Sequence, residues 1–182
     1  MAYFRKVFSQ LSRAGVAIQG GLRNEEVCRV ERTFNFTMPP DLREFLMTGL
    51  PVGKQFPDWR SSSFDELQWV LEGPVDGIAF DVEKNHYWHP AWGIRPNNAH
   101  EAVIRARSEI ASVPRLIPIF GHRFIPSEPL EEGNPVFSVS QTDVIVFGHD
   151  LADYFANEFH VPRPDWARST SKRIRFWSDL VS

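Results

Sequence analysis

One cysteine in 182 residues, Cys28, leaves no partner for a disulfide within the chain. A lone thiol beside Val27 on an amphipathic segment reads as a small hydrophobe rather than a nucleophile. Long apolar runs are missing too. No stretch approaches the 18 or so residues that mark a membrane span. Near the start, Val7-Phe8 is followed at once by Ser9, Gln10, Ser12 and Arg13, which leaves no continuous apolar region for a secretory signal. The expected address is therefore the cytoplasm, with no membrane partner. Charge of one sign is also scarce. The net formal charge is −3 with no basic stripe, and without that phosphate-neutralising footprint direct nucleic-acid binding is not expected. Nor does the sequence contain a Gly-x-Ser-x-Gly elbow, a phosphate-binding glycine loop or a Cys-His pair in a catalytic setting.

What is present is an ordinary mix, 42% apolar and 24% charged, enough for a sizeable core. Phe4, Val7, Phe8 and Leu11 fall on one helical face. Gly20-Gly21 breaks the chain, and Val27, Val30 and Phe34 then line one face of a charged helix from Glu25 to Phe36. Pro39-Pro40 ends that helix and starts the next, because proline cannot donate within a helix but suits its first turn. The second helix buries Leu42, Phe45 and Leu46 and stops near Gly49. A short helix over Phe64–Leu71 is expected to end at Gly73-Pro74, with a strand over Gly77–Val82. A helix over Asn98–Ser112 follows, carrying Ala102, Val103, Ala106 and Ile110 on one side. The period then changes. Leu116–Phe120, Pro135–Val139 and Val144–Phe147 are short and rich in β-branched and aromatic residues, the pattern of an antiparallel meander. A last helix over Leu151–Phe159 has Asp150 as its cap. The order predicts an α+β fold: one domain over residues 1–182, a central, mainly antiparallel sheet flanked by helices, with 1–20 as an N-terminal helical extension and 163–182 as a basic C-terminal tail.

The run Met38-Pro39-Pro40-Asp41-Leu42-Arg43-Glu44-Phe45-Leu46 behind a charged helix, with Ile117-Pro118-Ile119, Gly133-Asn134-Pro135-Val136-Phe137 and Asp143-Val144-Ile145-Val146-Phe147 in that order, resembles the SUKH superfamily, the Smi/Knr-like domains. Met38 stands where leucine is usual, Leu42 where an aromatic is common, and Pro51–Ser63 is a distinctive insert. The resemblance implies a non-enzymatic binding scaffold without a shared catalytic motif. Many bacterial members are immunity proteins that neutralise a cognate toxin, often a nuclease encoded nearby; fungal relatives act in cell-wall regulation. Neutralisation would work by occlusion, and no cofactor or metal is implied.

Charge distribution suggests where such a partner would sit. Residues 124–162 carry seven acids, Glu128, Glu131, Glu132, Asp143, Asp150, Asp153 and Glu158, and no Lys or Arg. Arg163, Arg168, Lys172, Arg173 and Arg175 follow. Either the two blocks neutralise each other, or the acids face a basic protein. Loop aromatics supply candidate anchors: Trp59 with Arg60, and Trp88, His89 and Trp92. The alternative is that these tryptophans plug an edge of the sheet. Arg123 would either brace Glu128 or line a groove with it. The partner-binding candidates are thus Trp59, Arg60, Trp88, His89, Trp92, Arg123, Glu128, Glu131 and Glu132. A competing reading is a small metal-dependent or carboxylate-based hydrolase using Asp81, His86, His89 and His122, since His86 and His89 have a spacing that can serve one metal. A third is a housekeeping scaffold. The sequence leaves the oligomeric state open.

Overall fold

Alternation of inward and outward side chains is normal for a strand, but here both faces of the four-stranded sheet are apolar, so both must be covered. In the computed structural model, which describes residues 2–53 and 55–182, they are. The strands are β3 (Leu116–Phe120), β4 (Arg123–Pro126), β5 (Val136–Ser140) and β6 (Asp143–Gly148), antiparallel in the order β3-β4-β5-β6. Ile117, Ile119, Ile125 and Val136 join one buried cluster. Leu116, Phe124, Phe137, Val139 and Val144 join another on the opposite side.

The first cluster is built by helices α1 (Ala2–Arg13), α2 (Asn24–Phe34), α3 (Pro40–Thr48) and α6 (Leu151–Phe159). Each start follows from its sequence. Pro40 occupies the first turn of α3. The Asp150 side chain accepts the Asp153 N–H at 2.7 Å and caps α6. Asn35 ends α2 in the left-handed conformation, φ 52°, which asparagine tolerates better than most residues. Phe45 of α3 lies at the centre, stacked on Phe8 at 4.8 Å and touching Phe155 at 4.7 Å between ring centroids. Phe45 and Leu46 thus face Ile117 and Val136 as expected, while Val144 faces the other side of the sheet.

The second cluster is covered by α5 (Ala99–Ile110), the far half of α4 and the C-terminal segment. Helix α4 corrects the sequence reading. It runs unbroken from Phe64 to Lys84, through Gly73-Pro74, where a helix end and a strand over Gly77–Val82 were expected. Leu67, Leu71, Pro74, Ile78 and Val82 repeat at three- and four-residue steps and are all buried, and that continuous stripe outweighs the loss of one backbone bond at Pro74. Ser63 accepts the Glu66 N–H and Glu66 accepts the Ser63 N–H, closing a capping box.

A further departure concerns short strands. Strands β1 (Ala17–Gly20) and β2 (Gly49–Val52) pair antiparallel in a separate small sheet, and β4 lies between two strands that the sequence reading had made neighbours. Within residues 1–20, Phe4, Val7, Phe8 and Leu11 dock α1 onto the body, buried in the first cluster. The basic segment 163–182 docks as well: Ile174, Phe176 and Trp177 are buried, Trp177 Nε1 donates to the Pro114 carbonyl at 2.7 Å, and the Ser182 N–H donates to Val144 on the edge of β6. The whole is an α+β fold. Among the described residues no helix is long and apolar enough to cross a membrane.

Candidate binding cleft

Where α2 ends, α4 passes its midpoint and α5 gives way to β3, the helices leave a broad open cleft of about 1180 Å³. Leu71, Pro74, Ile110, Leu116 and Trp177 supply an apolar floor; Arg32, Arg107, Arg115, Glu31, Glu72 and Glu128 supply charge. Arg115 fixes the junction. Its guanidinium donates to the Phe34 carbonyl at 2.7 Å, at the negative end of α2, and to Glu72 of α4 at 2.8 Å. Glu72 also accepts from Gln68, at 2.9 Å. Glu31 accepts from the Met38 N–H at 2.9 Å and from Arg43 at 3.3 Å. Both acids are therefore committed internally. Arg107 makes one ion pair, with Asp76 at 2.6 Å, and among the described residues Arg32 has no hydrogen-bond or ion-pair partner.

One wall is the loop carrying Ser127, Glu128 and Leu130. It is tied down from several sides. Asn134 Nδ2 donates to the carbonyls of Pro126 and Pro129, Lys172 reaches the Glu131 carboxylate and the Glu132 carbonyl, and the Gly133 N–H donates to Asp41. Burial pushes the Asp41 carboxyl above its ordinary range, against the pull of the Gly133 and Leu42 N–H groups. The rim is apolar in places. Leu130 is exposed, and Phe64 stacks on Phe34 while half open to solvent; Trp69 on α4 is 76% exposed but does not line the cleft.

The sequence candidates are distributed differently from the expectation. Trp59 is 2% exposed and packs on Phe36; Trp92 is 5% exposed against Phe176. Both are core rather than surface anchors, because distant segments fold over them. Trp88 is half-buried and donates to the Gly93 carbonyl, and His89 lies buried between Trp92 and Phe176. Arg60 is a structural pin. It bonds Glu26 through two nitrogens and reaches the Gly20 and Gly21 carbonyls. Arg123 does not brace Glu128; it pairs with Glu158 at 3.0 Å, bonds Ser138 and lies over the Phe147 ring. Of the nine candidates, only Glu128 lines the cleft; Glu131 and Glu132 follow it on the same loop. Trp69 reads in the sequence as one of the apolar residues of the helix over Phe64–Leu71 and is not among the candidates, although it stands two residues from both Leu67 and Leu71, off their helical face.

The charge blocks meet in two ion pairs, Asp153 with Arg163 and Glu131 with Lys172; Asp150 accepts the backbone N–H of Arg168, and Glu158 pairs with Arg123 outside the basic segment. Burial pushes the Asp153 carboxyl up, but the His149 N–H and Arg163 outweigh it and hold the group below its ordinary value. Of the supposed hydrolytic residues, Asp81 and His89 are engaged elsewhere, while His86 and His122 lie exposed. Asp81 accepts from Thr142 twice and from Asn85, bonds that overcome its burial and keep it ionised below the usual range. His89 Nδ1 accepts the Ala91 N–H, and among the described residues no three His, Cys, Asp or Glu side chains converge on a common metal position. Comparison of the chain with protein-family models, with curated proteins and with solved structures finds no match.

Proposed function

We propose that this protein is a non-catalytic, protein-binding domain and that its partner docks on the α2–α4–α5 cleft. The cleft carries the reading: a concave, partly apolar opening of about 1180 Å³ with Leu130 57% exposed on its wall is the form that a partner's side chains fill. Trp69, 76% exposed on a face of α4 that does not line the cleft, offers a second apolar surface on the same helix. Leu130 and Phe64 extend the apolar rim. The role that the SUKH resemblance implies is immunity: occupation of a toxin's active surface in the cell that makes it. The acidic block contributes less to this reading than its sequence suggests, because Glu131, Asp153 and Glu158 are already ion-paired within the fold and Asp150 accepts backbone N–H groups.

The test starts from the reading frame next to this gene. Its product, if a secreted toxin with a C-terminal nuclease domain, is expected to bind the purified chain and to lose its toxicity on co-expression. Leu130→Asp, on the exposed loop wall of the cleft, should weaken that complex roughly tenfold while leaving the melting temperature of the free protein unchanged. A neighbour that neither binds nor is neutralised removes the immunity role; a complex indifferent to Leu130 removes the cleft.

A further inference from the structure

Resting on the protein-binding reading, we infer that the cleft receives an acidic, amphipathic peptide segment of its partner, apolar side chains against Val75, Val113 and Leu130 and carboxylates against Arg32 and Arg107. The geometry gives the polarity. Of the six charged residues lining the cleft, Glu31 and Glu72 have their carboxylates engaged by Arg43, the Met38 N–H, Gln68 and Arg115. Arg115 is likewise held, by Glu72 and the Phe34 carbonyl. Arg32 keeps its whole guanidinium for an incoming group, and Arg107 spends one nitrogen on Asp76, an ion pair about half exposed on both sides and thus readily exchanged. A guanidinium offers five N–H donors in a planar fork that fits a carboxylate through two parallel bonds. Glu128 is the one acid lining the cleft for which no partner stands among the described residues. It disfavours a second carboxylate at the loop wall and so assigns the partner's acids to the side of Arg32 and Arg107.

The accessible apolar lining demands the apolar half of the segment. Val75 and Val113, half-buried, and Leu130, exposed on the loop above, supply it over a base of core residues, Leu71, Ile110, Leu116 and Trp177. Polar partners gain nothing there; leucine or phenylalanine side chains do. Cys28 also lines the cleft and the pairing does not use it.

The experiment selects a random linear peptide library on three forms of the full chain: wild type, Arg32→Glu with Arg107→Glu, and Ala111→Trp. Ala111 lines the cleft yet is exposed at the end of α5, so the added ring fills the space without entering the core. A fourth form, Lys6→Glu with Arg13→Glu, makes the same charge change on α1, away from the cleft. Wild type should enrich sequences in which Asp or Glu alternates with Leu or Phe. Their affinity, read by fluorescence anisotropy of the synthesised peptides, should fall roughly tenfold or more in the two cleft variants and stay level in the α1 variant. Enrichment of basic or uncharged peptides, equal binding by all four forms, or no enrichment on a wild type with an intact melting transition overturns the inference. A neighbouring toxin that binds wild type and both cleft variants alike also overturns it, yet leaves the chain a protein-binding domain. Failure of the toxin to bind at all, with acidic peptides still captured, instead removes immunity and keeps the cleft's specificity.

Discussion

Arg60 and Glu26 lie 34 residues apart in the chain and meet through two bonds, Nε to Oε1 at 2.8 Å and Nη2 to Oε2 at 3.2 Å. The same guanidinium reaches the carbonyls of Gly20 and Gly21, so one side chain ties the start of α2 to the end of β1 and to the insert over Pro51–Ser63. Arg60 holds the Glu26 carboxyl down to about 2 from an ordinary 4.5, helped by the Arg23 N–H.

That depression has a definite sign. The unfolded chain takes up the proton first as pH falls, so the contribution to stability is complete above about 4.5 and is lost on the way down to about 2. Glu26→Gln is therefore expected to lower the urea midpoint at neutral pH and to converge with wild type near pH 2. Parallel midpoint curves across that window would separate the ion pair from acid stability.

Phe45→Ala should cost about 3–5 kcal/mol in a denaturant titration, because the ring is 1% exposed and is enclosed by Phe4, Phe8 and Phe155. Trp69→Ser, on the open face of α4, should change stability by no more than about 0.5 kcal/mol. A loss below about 1 kcal/mol at Phe45 would show that the ring is not part of the first cluster.

Gly148→Ala tests the approach of α6 to β6. A Cβ at that position would stand 2.6 Å from both the Tyr154 N and Cα atoms, and backbone cannot step aside as a side chain can. The expected loss is about 1–3 kcal/mol, read as a shifted urea midpoint with unchanged slope. An unchanged midpoint would mean that α6 rides further from the sheet.

Elemental analysis of purified protein should find no stoichiometric zinc, and chelator should leave the melting temperature where it is, since a metal held only by the native state would raise it. The reason is local. His89 is committed to the Ala91 N–H beneath Phe176, and His86 sits in an exposed turn at φ 57°. One zinc per chain would reopen the hydrolase reading.

Helices α1, α2, α3, α5 and α6 were legible because each carries its own apolar stripe, and two carry a start signal as well: Pro40 in the first turn of α3 and Asp150 as the cap of α6 were readable before any contact was known. Helix α4 was not. Gly73-Pro74 is a strong local stop, and only the stripe from Leu67 to Val82, longer than the window in which a break is judged, overrides it. Strands β1, β2 and β4 are four residues each and contain Gly, Pro or Arg, so their extended state comes from pairing rather than propensity. The site was the least legible part. Trp59 and Trp92 look alike on paper with Trp69, and what separates them is which segments fold across them. The partners of the acidic block could not be assigned either, since Glu131 finds Lys172 41 residues away and Arg123 finds Glu158 35 residues away.

Helix α4 gives its first half to one side of the sheet and its second half to the other: Leu67 and Leu71 belong to one cluster, Ile78 and Val82 to the second. A single rigid rod shared in this way leaves neither half of the molecule free to open alone. Amide hydrogens in α3 and in α5 should then exchange through one global event with a common free energy, rather than through two separate openings. The proposed partner cleft lies over the middle of that rod, at Leu71, Pro74 and Val75. A partner seated there would grip the one element that both halves have in common, so its binding should slow the unfolding of the entire chain.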